Sequence, residues 1–268
     1  MSELYKIHRP ISYRTPILIN SPHSGVNFPE ELKDLYLPES LNNPDDADFD
    51  MPRLYNFANE IGATVIEAQI HRWVIDLNRD PESAPLYNDG RLITGLCPST
   101  TFEGAPLYKE GNIPTKEEID RRLNTYYWPY YQKVQELLNE IKAEFGHVLI
   151  YDLHSIRRKV NSISKDAFPD IILGTADEKS ADQSLIDIAV KNFENSGYSF
   201  SHNHPFKGGH ITRYFGKPSE NQHALQVERS KDIYMNDAEN EFSEERSDKL
   251  RAILKPNLIE LGEQTLKL

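Results

Sequence analysis

A short apolar run that ends in Asp152-Leu153-His154 constrains the fold more than any other part of the chain. Residues 148–151 follow a long helical pattern that stops at Gly146, and an apolar run of this length between turn signals predicts a buried strand of a parallel sheet. Ligands of open α/β sheets bind at the carboxyl ends of the strands, where Asp152 and His154 emerge on the same side. The two residues suit a metal ligand with an orienting carboxylate, or else a purely structural Asp–His pair.

Five further apolar runs predict strands, and two of them end next to side chains that can do chemistry. The runs are residues 17–20, 63–68, 171–174, 198–201 and 224–228. The first stops at a Pro/Gly turn that carries His23, and the last ends at Glu228. Each run is short and bounded by turn residues, as expected for strands of a sheet. His and carboxylate side chains therefore collect at predicted strand ends.

Helical periodicity lies between these strands and after the last of them. The helical patterns cover residues 52–58, 115–145, 180–197 and 243–261. Pro129 should kink the longest helix or divide it in two, and the terminal helix is expected to break near Pro256. Strands that alternate with helices predict an α/β fold. Because no repeat and no linker composition is present, we expect one domain over residues 1–268.

Composition and charge narrow the possible partners. The net charge of −12 and the pI near 5.2 argue against nucleic acid or an anionic membrane as a partner. Cys97 is the single cysteine, which excludes an intramolecular disulfide and suits a reducing compartment. The chain starts without a signal-like apolar region, and no apolar run reaches membrane-spanning length. We therefore expect a cytoplasmic protein.

The stretch after the third strand is rich in groups that can bind anions. Arg72 and Arg79 have planar donors that match carboxylates, although one of them could simply pair with a nearby aspartate. Residues 81–113 then form a turn-rich segment with little periodicity, and a loop of this length inside a compact domain is usually functional. A small anionic substrate thus remains compatible with an acidic protein.

Several catalytic chemistries lack their sequence signatures. There is no Gly-x-Ser-x-Gly elbow, no Gly-x-Gly-x-x-Gly and no P-loop pattern, and Cys97 has no histidine near it in sequence. A hydrolytic zinc site instead needs three protein ligands, an open position and a carboxylate that moves a proton. The residues that could supply these roles are His23, His154, one aspartate of residues 45–50, and Glu228.

Five motifs together resemble the N-formylglutamate amidohydrolase family. The motifs are Ser21-Pro22-His23-Ser24-Gly25, Ile75-Asp76-Leu77-Asn78-Arg79, Asp152-Leu153-His154-Ser155, Lys207-Gly208-Gly209-His210-Ile211-Thr212-Arg213 and Ala224-Leu225-Gln226-Val227-Glu228. They run in family order over roughly residues 17–235. That family resembles the zinc carboxypeptidases and aspartoacylases. The resemblance therefore implies a three-layer α/β/α sandwich with a mixed, mostly parallel sheet, like that of zinc exopeptidases.

The same resemblance implies an activity and a set of residue roles. It implies a zinc-dependent amidohydrolase, with one zinc per chain, that removes a formyl or short acyl group from an acidic amino acid, with N-formyl-L-glutamate as the expected substrate. The implied roles are His23 and His154 as zinc ligands, Glu228 as the catalytic carboxylate, Asn78 and Arg79 as partners of the substrate α-carboxylate, and Arg72 as the group that polarises the scissile carbonyl.

The chain departs from the pattern of the related peptidases at one ligand. Those peptidases have an acidic ligand three residues after the first histidine, where this chain has Val26. We therefore choose Asp48 as the third ligand, with Asp50 as the second choice. Arg213 is the candidate clamp for a second substrate carboxylate. The role of His210 stays open, because a tyrosine is often expected at this position.

Two alternatives remain open from the sequence. The first is a deacylase or peptidase with a different acyl group, which the unreadable loop of residues 81–113 could determine. The second is a catalytically silent module that binds a metal or ligand on the same scaffold. Glu228 favours an enzyme, because a binding module does not need a free carboxylate beside the metal.

Overall fold

The structure, a computed structural model, describes residues 3–42, 44–82 and 94–268. Within these ranges seven strands form a single mixed sheet. The strands are β1 (Tyr5–His8), β2 (Ile17–Ser21), β3 (Thr64–Ala68), β4 (Val148–Ile156), β5 (Ile171–Gly174), β6 (Phe200–His202) and β7 (Gln222–Ser230). Their order across the sheet is β1-β3-β2-β4-β7-β5-β6.

Eight α-helices accompany the sheet in the described ranges. They are α1 (Glu30–Lys33), α2 (Pro38–Asn42), α3 (Met51–Leu54), α4 (Lys116–Arg122), α5 (Trp128–Phe145), α6 (Gln183–Glu194), α7 (His210–Phe215) and α8 (Glu244–Thr265). Short 3₁₀ helices occur at Asn56–Asn59, Pro218–Glu220 and Lys231–Ile233. None of the described helices is both long enough and apolar enough to cross a membrane.

Four parallel strands form the centre of the sheet. β2 pairs in parallel with both β3 and β4, and β4 pairs in parallel with β7. β1 is antiparallel to β3 at one edge, and β5 is antiparallel to β7 and parallel to β6 at the other. The predicted mixed, mostly parallel sheet is confirmed. Because β2, β4 and β7 point the same way, their carboxyl ends meet at one edge of the sheet.

Helices cover both faces of the sheet, so the predicted α/β/α sandwich is confirmed. On one face, Leu225 and Val227 of β7 pack with the buried residues of α6 and α8. On the other face, Val148 and Ile150 of β4 pack with the buried residues of α5 and α7. Side chains alternate along a strand, so the even-numbered residues of β4 face α5 and the odd-numbered residues face α8.

The longest predicted helix is divided, as its proline suggested. Thr115 caps α4 by accepting a hydrogen bond from the backbone N–H of Glu118. A π-helical turn over Leu123–Tyr127 then separates α4 from α5, and Pro129 lies in the first turn of α5. The backbone N–H of Trp128 donates to the carbonyl oxygen of Leu123, so the chain stays helical across the junction, and Pro129 follows directly. The change of helix type therefore falls immediately before the proline.

The terminal helix contradicts a sequence prediction. The predicted break near Pro256 is wrong, because α8 is continuous with this proline inside it. A proline inside a helix costs about 3 kcal/mol, whereas burial of a single leucine side chain contributes about 1.5–3 kcal/mol. Four leucines of α8 are fully buried: Leu250, Leu254, Leu258 and Leu261. Their packing on the sheet outweighs the local cost of the proline.

The other differences between the predicted and the observed secondary structure are smaller. The predicted helix over residues 52–58 consists of α3 and a 3₁₀ turn, and β1 was not predicted at all. In the segment 81–113, residues 83–93 lie outside the described residues. Residues 94–113 form no helix or named strand and make isolated bridges, such as Thr100 with Pro106.

Candidate metal centre

Three buried side chains converge at the carboxyl edge of the parallel strands. His23 lies in the turn after β2, His154 lies near the end of β4, and Asp48 lies just before α3. One ligand atom from each residue lies within 4.8 Å of the other two. The backbone N–H of Asp48 donates to the carbonyl oxygen of His23 at 2.8 Å, which holds the two segments together. The predicted ligand residues are therefore neighbours in space.

One oxygen of Asp48 faces both histidines. Asp48 Oδ2 is 3.3 Å from His154 Nδ1 and 3.7 Å from His23 Nδ1. The other oxygen, Oδ1, accepts a hydrogen bond from Ser155 Oγ at 3.2 Å, and this bond fixes the carboxylate plane. Asp50 is exposed at the N-terminus of α3 and takes no part in the cluster. The geometry thus favours Asp48 over Asp50 as the acidic member of the group.

Each histidine has its own orienting carboxylate. His23 Nε2 is 2.8 Å from Asp76 Oδ1, and His154 Nε2 is 3.0 Å from Asp152 Oδ2. A carboxylate only accepts hydrogen bonds, so in the neutral imidazole each Nε2 carries the proton and each Nδ1 presents a lone pair. A metal-binding histidine is oriented in this way by a carboxylate behind it. The sequence motif contained Asp76, but its partnership with His23 was not predicted.

The donor set fits a metal cation. Among the described residues, His23 Nδ1 and Asp48 Oδ2 are buried without a hydrogen-bond partner, although they face each other across a short gap. Two imidazole lone pairs and a carboxylate oxygen are ligands that zinc prefers in proteins, and a tetrahedral site would keep one position open. An uncompensated set of buried acceptors is costly, and a bound cation would remove that cost.

The pKa values of His154 and Asp48 are shifted in opposite directions. Burial alone would lower the pKa of His154, but the charges and hydrogen bonds of Asp152 and Asp48 outweigh burial and raise it well above the ordinary value. Burial likewise favours the neutral form of Asp48, yet the two histidines hold the pKa of Asp48 far below its ordinary value. A proton and a metal cation would therefore compete for the lone pair of His154 Nδ1.

Glu228 lies beside the cluster. It is half-buried on β7, directly across from His154 in the strand register. Burial raises the pKa of Glu228 to about 8, although the charges of His154 and Arg72 pull it down. Within the described ranges its carboxylate makes no hydrogen bond or ion pair, so it can accept a proton from a bound reactant. This is the position expected of a general base.

Arg72 is held at the same site. Its Nη2 donates to Asp76 Oδ2 at 2.6 Å, and its guanidinium lies 4.6 Å from the ring centroid of Phe102. The side chain is buried, so its charge is screened little by water. Asp76 therefore links Arg72 to His23.

Asn78 lies behind His154. Its Oδ1 accepts from the backbone N–H of Ile211 at 2.9 Å, and its Nδ2 is 3.1 Å from His154 Nε2 and 3.4 Å from Gln226 Oε1. A Cβ atom on Gly209 would come within 2.2 Å of Asn78 Nδ2, which explains why the second position of the Gly-Gly pair has no side chain. In this conformation Asn78 is buried and faces protein partners.

The other predicted anion-binding residues surround the centre at greater distance. Arg79 donates from Nε to the carbonyl oxygen of Thr94 at 3.0 Å, and its Nη1 is 3.8 Å from Asp76 Oδ2. Arg213 is exposed on α7 and donates to the carbonyl oxygen of Gly208 at 3.3 Å. His210 Nδ1 is 3.7 Å from Asp80 Oδ2. Burial lowers the pKa of His210, and the negative charge of Asp80 opposes this shift without reversing it.

Two remaining residues are also placed by the structure. Val26, at the position where related peptidases have an acidic ligand, is exposed. Burial raises the pKa of Cys97 to about 11, so this thiol is protonated at neutral pH and is a poor nucleophile. Cysteine chemistry therefore has no support at this site.

Comparison with known proteins gives matches over most of the chain. The family model described as N-formylglutamate amidohydrolase matches residues 15–235. A curated N-formylglutamate deformylase of Pseudomonas putida is 40% identical over 227 residues, which cover 84% of each chain. A second one, from Pseudomonas aeruginosa, is 41% identical over the same length.

Solved structures match the whole fold. The crystal structure of N-formylglutamate amidohydrolase from Ralstonia eutropha aligns with a TM-score of 0.77 and 26% identity, covering 98% of this chain and 97% of that one. A gene product of Agrobacterium tumefaciens aligns with a TM-score of 0.73 at 18% identity, which shows likeness of fold alone. Every residue of the centre described above lies within residues 15–235, which the family model matches.

Proposed function

The chain belongs to the N-formylglutamate amidohydrolase family, and from this premise we propose that it is a metal-dependent deformylase that hydrolyses N-formyl-L-glutamate to formate and L-glutamate. The observation that carries the metal dependence is the convergence of His23 Nδ1, His154 Nδ1 and Asp48 Oδ2. The names of the relatives support the substrate. The cofactor we propose is one Zn²⁺ per chain, held by these three residues.

The chemistry begins with a water molecule that must lose a proton. His23, Asp48 and His154 would hold a zinc ion, which would supply a Lewis acid that lowers the pKa of water towards neutrality. Glu228 accepts the proton as the water oxygen attacks the formyl carbon. When the C–N bond breaks, Glu228 passes the proton to the leaving amine nitrogen, and the products are formate and the free amino acid. The raised pKa of Glu228 suits a group that must both take and return a proton near neutral pH.

Arg72 acts on the carbonyl side of the reaction. Negative charge develops on the formyl oxygen during attack, and a buried guanidinium stabilises such charge more strongly than an exposed one. Asp76 holds Arg72 through a 2.6 Å hydrogen bond, so the cation does not need to reorganise during the reaction. Arg72 therefore lowers the barrier by positioned charge.

The acidic substrate requires cationic partners. Arg79 is our candidate for the α-carboxylate and Arg213 for the side-chain carboxylate, because both lie close to the segment around Asn78 and Gly208 that supports the centre. Asn78 would contribute mainly by holding this segment in place through the hydrogen bond that its Oδ1 accepts from the backbone N–H of Ile211. The alternative of a silent binding module is disfavoured, because it gives the carboxylate of Glu228 beside the centre no role.

The experiment that tests the proposal measures formate release. Protein stripped of metal with a chelator should be inactive on N-formyl-L-glutamate, and one equivalent of Zn²⁺ should restore turnover. Equal turnover of the stripped and reloaded protein would refute the metal dependence. Turnover of other N-acyl amino acids with none on the formyl substrate would instead support a deacylase of different acyl specificity.

A further inference from the structure

A chain of buried hydrogen bonds leads away from the centre through Asp152. Asp152 Oδ2 lies 3.0 Å from His154 Nε2, and its other oxygen, Oδ1, accepts from Asn20 Nδ2 at 2.6 Å. The opposite end of that amide, Asn20 Oδ1, accepts from the hydroxyl of Tyr130 at 2.7 Å. Asn20, Asp152 and Tyr130 are at most 1% exposed. The chain thus connects α5 to the ring of His154.

The sheet register produces this contact. Asn20 of β2 and Asp152 of β4 are register partners on adjacent parallel strands, so their side chains leave the same face side by side. That face is covered by α5, which brings Tyr130 above Asn20. Among the described residues, the Tyr130 hydroxyl donates only to Asn20 Oδ1, and this bond directs the amide so that its NH₂ group faces Asp152.

The carboxylate behind His154 is held differently from the one behind His23. Asp76 is bound by the cationic Arg72 at 2.6 Å, which neutralises much of its charge. Asp152 is bound by the neutral amide of Asn20, so its negative charge stays directed at the His154 ring. A hydrogen bond fixes the position of Asp152 without removing the charge that makes the ring a stronger ligand.

We propose that Asn20 and Tyr130 are positioning residues that set the metal affinity of the centre by fixing Asp152 behind His154. The inference rests on the proposed metal site and goes beyond it, since neither residue touches the metal or the substrate. Tyr130 acts only through Asn20, and Asn20 acts only through Asp152. Replacement of Asn20 should therefore also remove the effect of Tyr130 on the metal affinity.

The test measures the Kd for Zn²⁺ by competition with a chelator in four proteins: wild type, Tyr130→Phe, Asn20→Leu and the double variant. We expect Asn20→Leu to raise the Kd roughly 10- to 100-fold and Tyr130→Phe to raise it less. The double variant should match Asn20→Leu, because residues that act in series are not additive. In zinc-loaded wild type, the ¹⁵N shifts of His154 should show the proton on Nε2, and this signature should weaken in Asn20→Leu.

Tyr151→Phe is the matched control. Tyr151 is a buried tyrosine next to Asp152 in sequence, but its side chain faces the opposite side of the sheet. Tyr151→Phe also removes one buried hydroxyl, and it should leave the Kd for Zn²⁺ unchanged. Urea unfolding of every variant reports whether the fold is retained, and Tyr130→Phe decides the question if Asn20→Leu does not fold.

The outcomes separate this inference from the proposed function. If the Kd of His154→Ala for Zn²⁺ equals that of the wild type, the metal centre is refuted, and the inference is refuted with it. If the wild type binds Zn²⁺ through His154 and the Kd values of folded Asn20→Leu and Tyr130→Phe stay within twofold of it, only the inference is overturned. Additive losses in the double variant would likewise contradict action in series.

Discussion

His154 and Glu228 lie directly across from each other on the adjacent parallel strands β4 and β7. Side chains at paired positions of parallel strands leave the same face of the sheet, so the imidazole and the carboxylate emerge next to each other. A ligand and a proton acceptor are therefore set at a fixed spacing by backbone hydrogen bonds alone. The proposed division of labour between metal binding and proton transfer depends on this register.

The choice between two neighbouring aspartates gives a first prediction. Asp48→Asn should abolish stoichiometric zinc binding and turnover, because Asp48 Oδ2 faces both histidines and an amide is a weak zinc ligand. Asp50→Asn is the matched control, since Asp50 is exposed at the start of α3, and it should bind zinc like the wild type. Zinc content by atomic absorption, with circular dichroism for the fold, checks both. Loss of zinc in Asp50→Asn with retention in Asp48→Asn would reverse the assignment.

A second prediction concerns pH. Glu228 must be ionised to accept a proton, and burial raises its pKa from 4.5 to about 8 in the metal-free chain. A bound cation favours the ionised form and pulls the pKa back down. The rate constant kcat/KM should therefore fall as the pH is lowered, with an apparent pKa between these two values. A profile that is flat from pH 4 to pH 9, or that falls with rising pH across this window, would contradict this role.

The arginines give a third prediction, based on two substrates. Arg213→Ala should raise KM for N-formyl-L-glutamate about tenfold, with little effect on an N-formyl amino acid that has a neutral side chain. Arg79→Ala should weaken turnover of both, because both carry the α-carboxylate. Steady-state kinetics with the two substrates separate the two positions. Equal losses on both substrates in Arg213→Ala would remove it from the side-chain carboxylate site.

The Gly-Gly pair of the fourth motif gives a fourth prediction. A methyl group on Gly209 would come within 2.2 Å of Asn78 Nδ2, so Gly209→Ala must displace Asn78 from its place behind His154. A displacement near 1 Å can cost about 10²-fold in rate. Gly95→Ala is the control, because a Cβ there meets no atom within 4 Å. Wild-type kcat/KM in Gly209→Ala would show that the position of Asn78 does not matter.

The parallel centre of the fold could be predicted from the sequence because its strands are buried on both faces. Every residue of β4 is buried, and its first four residues, 148–151, appear in the sequence as a continuous apolar run. β1 was missed because it is a four-residue edge strand that alternates between partial burial and exposure. The continuity of α8 through Pro256 depends on packing against the sheet, which no local pattern contains.

In the site, too, residues with a local sequence signal could be predicted, whereas contacts that depend on tertiary packing could not. His23 and His154 could be chosen as candidates because each follows a short apolar strand, and Asp48 because it lies in an acidic run. The contact of Tyr130 with Asn20 joins residues 110 positions apart and depends on which face α5 covers. The inward orientation of Asn78 towards Gln226 and His154 likewise follows from tertiary structure. Such contacts have no signal in a single sequence.

The measurement that tests the central claim most directly compares zinc content and turnover in Glu228→Gln and His154→Ala. Glutamine keeps the size of Glu228 but cannot accept a proton, so Glu228→Gln should retain stoichiometric zinc and lose roughly 10²- to 10⁴-fold in kcat. His154→Ala removes a ligand and should lose both zinc and activity. Near-wild-type turnover of N-formyl-L-glutamate by folded, zinc-loaded Glu228→Gln would contradict the account.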